Sequence, residues 1–67
     1  MSDVDSQTHT SPWPEWYATQ EDTASVTIIS KASGEKMVIK PPTEWGRRWA
    51  WNISEDGTGV VIRRTEN

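Results

Sequence analysis

The stretch Glu44-Trp45-Gly46-Arg47-Arg48-Trp49-Ala50-Trp51 gathers three of the chain's five tryptophans and two of its four arginines into eight residues. Indole rings and guanidinium forks dominate the hot spots of protein interfaces, because each combines a large contact area with directional polar atoms. The same pair of side chains suits single-stranded nucleic acid. Bases stack on exposed rings for ~1–3 kcal/mol each, and arginines neutralise phosphates in a salt-dependent way. A second arginine pair, Arg63-Arg64, follows near the C-terminus. Trp45, Arg47 and Arg48, joined by Arg63 and Arg64 on a neighbouring strand, are therefore the candidate partner-binding residues; the other reading of Trp45 is that it closes one end of the core and leaves Arg47 and Arg48 solvated.

The rest of the reactive inventory is thin. There is no cysteine and one histidine, His9, so thiolate metal sites, disulfides and thiol chemistry are excluded. His9 stands in a polar stretch, with no nucleophile placed beside it by any motif. Glu55 and Asp56 are adjacent in a predicted turn, where acidic residues serve backbone conformation. Gly57 and Gly59 belong to that turn and precede no helix, so they do not make a phosphate loop. The expectation is a non-enzymatic protein with no cofactor and no metal.

The supports for these residues must be built from 67 residues, a size at which one core supplies about 3–5 kcal/mol. With no covalent staple available, stability has to come from the aromatic side chains or from burial against a partner. No apolar run approaches the ~20 residues that cross a bilayer, and no secretory signal opens the chain, so a soluble, cytoplasmic protein is expected. The net charge of −3 conceals an asymmetry. Residues 1–23 hold five acidic residues and no Lys or Arg, whereas residues 24–67 hold seven basic against five acidic.

Three segments emerge. Residues 1–11 are polar and acidic, and read as a disordered leader. Residues 12–23 open with Pro12-Trp13-Pro14-Glu15-Trp16-Tyr17, an aromatic clamp for an open sheet face, with Pro14 able to start a short helical turn through about Gln20. Residues 24–65 read as a small β domain. Ala24–Lys31 is rich in β-branched residues, and Lys36–Lys40 is its return strand, ended by Pro41-Pro42.

A loop of Ala32–Glu35 would set Ser30 opposite Met37 and Ile28 opposite Ile39. It collects Val26, Ile28, Met37 and Ile39 on one face; a three-residue loop would pair Lys31 with Glu35 instead. Trp49, Trp51 and Ile53 alternate as a strand does, which outweighs a helix from Thr43 to Trp51 containing Gly46. Asp56-Gly57 between two apolar alternations marks a tight hairpin that pairs Ile53 with Val60, Trp51 with Ile62 and Trp49 with Arg64. Ile29, Val38 and Val61 fall on the opposite face as a second apolar patch.

The fold class expected is all-β: a small four-stranded antiparallel sheet or open barrel made of two consecutive hairpins, with the aromatic N-terminal segment packed on it. The function expected is a small binding module acting on another protein through its Trp/Arg-rich loop, with homodimerisation allowed. The alternative is single-stranded nucleic-acid binding, autoinhibited by the acidic leader folding over the arginines. Sugar stacking is disfavoured because Asn52 would face away from Trp49 and Trp51.

Overall fold

A computed structural model describes residues 5–65. The β-branched and aromatic runs become six strands: β1 Ser6–Thr10, β2 Trp16–Asp22, β3 Ser25–Ser30, β4 Lys36–Ile39, β5 Trp49–Ile53 and β6 Gly59–Arg64. A single 3-10 turn, Thr43–Trp45, interrupts the link from β4 to β5. The strands form two three-stranded antiparallel sheets, ordered β1-β6-β5 and β2-β3-β4. The class is all-β, as expected. The single four-stranded sheet is corrected to a two-sheet sandwich, because each expected hairpin recruits a third strand from the N-terminal residues.

That recruitment corrects the reading of the leader. Ser6–Thr10 is β1, paired with β6 from Ser6 opposite Arg63 to Thr10 opposite Gly59. The pairing extends beyond the strand at both ends, with Ser11 N–H donating to the Thr58 carbonyl at 2.8 Å and Arg64 N–H to the Asp5 carbonyl at 2.9 Å. The disorder expected of residues 1–4, and the fraying expected of residues 66–67, lie outside the described residues.

Segment 12–23 is likewise more than a clamp. From Trp16 it runs as β2, with Trp16 opposite Ser30 and Thr19 opposite Thr27, before an irregularity shifts the register to Asp22 opposite Ser25. The helical turn expected after Pro14 is absent, since Trp16, Tyr17 and Thr19 favour extended backbone and β3 offers them a ladder. The clamp role survives in two side chains, as Trp13 and Trp16 pack against the core.

Both hairpins form. The β5–β6 register is the one read from Asp56-Gly57, with Ile53 opposite Val60, Trp51 opposite Ile62 and Trp49 opposite Arg64. In the β3–β4 hairpin the loop is Lys31–Gly34, Ser30 N–H donating to the Glu35 carbonyl at 2.8 Å, and Ile28 lies opposite Met37, Val26 opposite Ile39. This shifts the expected register by two residues. Side chains alternate with period two, so the shift leaves the apolar face unchanged. Gly34 adopts φ 81°, which closes the loop one residue earlier than a Glu35 end would.

The core lies between the sheets. Val26, Ile28 and Ile39 from one sheet meet Val60 and Ile62 from the other, and Trp45 joins them from the connector. Met37, Trp49 and Trp51 are half-buried around this cluster. β3, the middle strand of its sheet, is buried at every position. Ile29 and Val38 lie on the outer side of the β2-β3-β4 sheet and Val61 on the outer side of the other. The expected second apolar patch is thus divided between two surfaces that face away from each other. No helix among the described residues is long and apolar enough to cross a membrane.

Gly59 leaves no room for a side chain against β1. A Cβ there would run into the His9 carbonyl oxygen and lie 2.7 Å from Thr10 Cα. Backbone cannot yield as a flexible side chain can, so Gly59→Ala is expected to destabilise the fold by about 1–3 kcal/mol. For a domain this small that is a large share of the total. A urea unfolding curve compared with wild type checks it; an unchanged midpoint would show that β1 does not close on β6 as described.

Candidate functional site

The structure scatters the residues picked from the sequence. Trp45 stands in the 3-10 turn, where Trp45 N–H donates to the Pro42 carbonyl and Arg48 N–H to the Trp45 carbonyl. This tight path turns the ring inward, and Trp45 is 4% exposed, part of the core. Of the two readings the sequence allowed, projection toward a partner or closure of one end of the core, the structure shows the second. The physical cause is simple: the connector crosses one open end of the sandwich, and the largest apolar side chain on it fills that end. Trp49 and Trp51 are half-buried against the same cluster.

The arginines do not form one cluster either. Arg47 and Arg48 are exposed beside Trp45. Arg63 and Arg64 are successive on β6, so their side chains leave opposite faces. Arg64 shares the inner face with Trp49, its register partner, and its guanidinium lies 3.8 Å from the Asp5 carboxylate. Arg63 is on the outer face, opposite Ser6 on β1 and Ala50 on β5. The acidic leader cannot act as a removable flap over these groups. A deletion reaching Asp22 takes away β1 and β2, one strand from each sheet.

What the sequence did not single out is a groove between two strand edges. β2 and β5 are edge strands of different sheets, and Trp51 Nε1 donates to Gln20 Oε1 at 3.3 Å across the gap between them. Beyond that bond the gap widens into an open groove of about 580 Å3, lined by Pro14, Trp16, Tyr17 and Ala18 on one side, Ile53 and Gly57 on the other, and Lys31 with Glu15 at its margin. Tyr17 is 47% exposed and Ile53 48%, two of the three large apolar side chains left in solvent among the described residues.

The backbone along the two rims pairs on one side only among the described residues. Lys31 N–H donates to the Glu15 carbonyl and Ser54 N–H to the Gly59 carbonyl. Antiparallel pairing alternates, so Tyr17 bonds to β3 and Asn52 to β6, while the amides of Trp16, Ala18, Trp51 and Ile53 point outward. The aromatic run Trp13-Trp16-Tyr17 was the sequence signal for this site. It was read as a lid because nothing in one dimension shows which rings stay outside.

Titratable groups are sparse. Among the described residues no group of three His, Cys, Asp or Glu is placed to hold a metal. His9 Nε2 lies 3.4 Å from Gln7 Oε1 on the same strand. Asp56 holds the β5–β6 turn together: its Oδ1 accepts from the Thr58 hydroxyl at 2.7 Å, the Thr58 N–H at 3.1 Å and the Ser54 hydroxyl at 2.8 Å. The Thr58 bonds first, and then that from Ser54, favour the charged form and hold the Asp56 carboxyl below its ordinary value.

Compared with known proteins, the chain matches no family model, no curated protein and no solved structure.

Two outcomes follow from these placements. Trp45→Ala should cost about 3–5 kcal/mol, enough to unfold the domain, whereas Arg47→Ala and Arg48→Ala should leave the thermal melt nearly unchanged. Circular dichroism of the three variants checks this, and a cooperatively folded Trp45→Ala would contradict the core position. The depressed Asp56 carboxyl contributes stability that is present above its unfolded-state value and lost as pH falls through the folded one. Asp56→Ala should therefore flatten the acid limb of stability against pH, read from urea midpoints down the carboxylate range.

Proposed function

We propose that the chain is a small non-enzymatic binding module that takes up an extended, apolar segment of another protein in the groove between β2 and β5. The observation that carries this reading is the convergence of Tyr17 and Ile53, both largely exposed, on a groove rimmed by two unpaired strand edges. Outward amides on both rims suit main-chain pairing with an added strand, and alternate side chains of that strand would rest on Tyr17, Pro14 and Ile53. The partner contact thus moves from the Trp/Arg loop expected from the sequence to the β2/β5 edge.

The nucleic-acid alternative has less support. Its stacking ring, Trp45, is buried, and the arginines diverge over two faces. An exposed aromatic does remain in Tyr17, but it lies on the outer side of the other sheet from Arg63. The groove's own charged residues, Glu15 and Lys31, offset each other.

The test is selection of a random peptide library on the immobilised full-length chain and on a Tyr17→Ser/Ile53→Ser variant. The two residues are surface-exposed, so the variant should fold with a melt within a few degrees of wild type. Enrichment of apolar, β-prone sequences on wild type, with affinity for the variant reduced roughly tenfold or more, is the expected result. No enrichment, or peptides that bind both proteins equally, would remove the groove as the site. Saturable tryptophan quenching by mixed single-stranded oligonucleotides, weakening steeply with salt, would favour the alternative.

A further inference from the structure

A sandwich with two open sheets has four strand edges, and a free edge is a template for another chain unless something blocks it. Three of the four are blocked or already accounted for. β4 is four residues long, its ends carry Lys36 and Lys40, and Pro41-Pro42 follow. A two-fold pairing of β4 about Val38 would set each copy's Lys36 against the other's Lys40, a like-charge contact. β2 and β5 are the two rims of the groove described above, facing each other across it and joined by the Trp51–Gln20 bond. β1 has none of these devices. Ser6-Gln7-Thr8-His9-Thr10 holds no charge, proline or bulge, and among the described residues it pairs with β6 alone.

The hydrogen-bond phase of β1 fixes which groups it offers. Asp5 and Ser11 bond to β6, and by alternation so do Gln7 and His9. The N–H and C=O groups of Ser6, Thr8 and Thr10 therefore point away from the sheet. Their spacing is symmetric about Thr8, so the edge is complementary to itself.

We infer that β1 is a homodimerisation edge, pairing antiparallel with β1 of a second copy about a two-fold axis at Thr8 to make one continuous six-stranded sheet. In that register Thr8 faces Thr8 and Ser6 faces Thr10, each pair exchanging two backbone bonds, while Gln7 faces His9. No charges of like sign meet. Opposite charges share one face, because the antiparallel arrangement sets the β6 C-terminal end of one copy level with the β5–β6 turn of the other, across the two β1 strands. Arg63 leaves the outer face next to Ser6. On that same face Glu55 and Asp56 line a shallow pocket with Thr8, Thr10 and Thr58, placing them beside the partner's Ser6 row. This surface is separate from the β2/β5 groove, and the inference does not rest on the function proposed for it.

Sedimentation velocity of the full-length protein over a concentration series tests the idea. Wild type should show a concentration-dependent monomer–dimer equilibrium. Thr8→Pro removes an N–H that bonds to no other strand among the described residues and should weaken dimerisation roughly tenfold or more. Thr8→Lys and Thr8→Glu keep the amide and place like charges face to face, so each alone should be monomeric. An equimolar mixture of the two should dimerise again, since only a two-fold axis at this residue sets position 8 against itself. A wild type that stays monomeric at millimolar concentration would overturn the proposal. Dimers unaffected by Thr8→Lys, or a Lys/Glu mixture that remains monomeric, would do the same even if Thr8→Pro failed to fold.

Discussion

The contact of Val26 and Ile28 with Val60 and Ile62 is the constraint on which the rest of the structure depends. These four side chains come from β3 and β6, the middle strands of the two sheets, and all are fully buried. Two three-stranded sheets present one apolar face each, and only packing those faces together removes them from water. A core this small has two open ends and two open sides. The tryptophans answer that geometry, with Trp45 filling one end and Trp13, Trp16, Trp49 and Trp51 flanking the cluster. Each ring closes more area than an aliphatic side chain would, which is how a chain without cysteine reaches a stable fold at this length.

Aromatic residues used in this way are not available for binding. The chain has a composition that suggests an interface, yet most of its indole surface is spent on closing the sandwich. What remains for a partner is set by the sides. One side is the β2/β5 gap, where Tyr17 and Ile53 stay in solvent because no strand bridges the two sheets there. The other sheet edges differ in how they are protected. Lysines and prolines guard β4, whereas Ser6–Thr10 of β1 carries no Lys, Arg, Asp, Glu or proline within the strand itself. Surface charge plays a secondary part, since the ion pairs Lys36–Glu21 at 3.7 Å and Arg64–Asp5 at 3.8 Å are both exposed and such pairs contribute little.

Local chemistry was enough to write some of this fold from the sequence. Asp56-Gly57 specified the β5–β6 register because the turn needs a positive φ, met by Gly57 at 76°, and a carboxylate that gathers the turn's donors. The β3–β4 face was legible through its alternation even though the loop closed two residues away from its expected register. All-β class followed from β-branched runs and turn residues. The leader was misread because Ser6–Thr10 carries no apolar alternation. Its strand exists through the hydrogen bonds that β6 offers it.

The sequence by itself therefore determined the two hairpins, their apolar faces and the absence of thiol chemistry, since each depends on residues close together along the chain. The tertiary structure decided the rest: that β1 and β2 complete the sheets, that Trp45 is core, and that Tyr17 and Ile53 meet across a groove. Those outcomes depend on which surfaces become covered when the sheets stack. Periodicity assigns a side chain to a face, and only packing determines whether that face is turned inward or toward solvent.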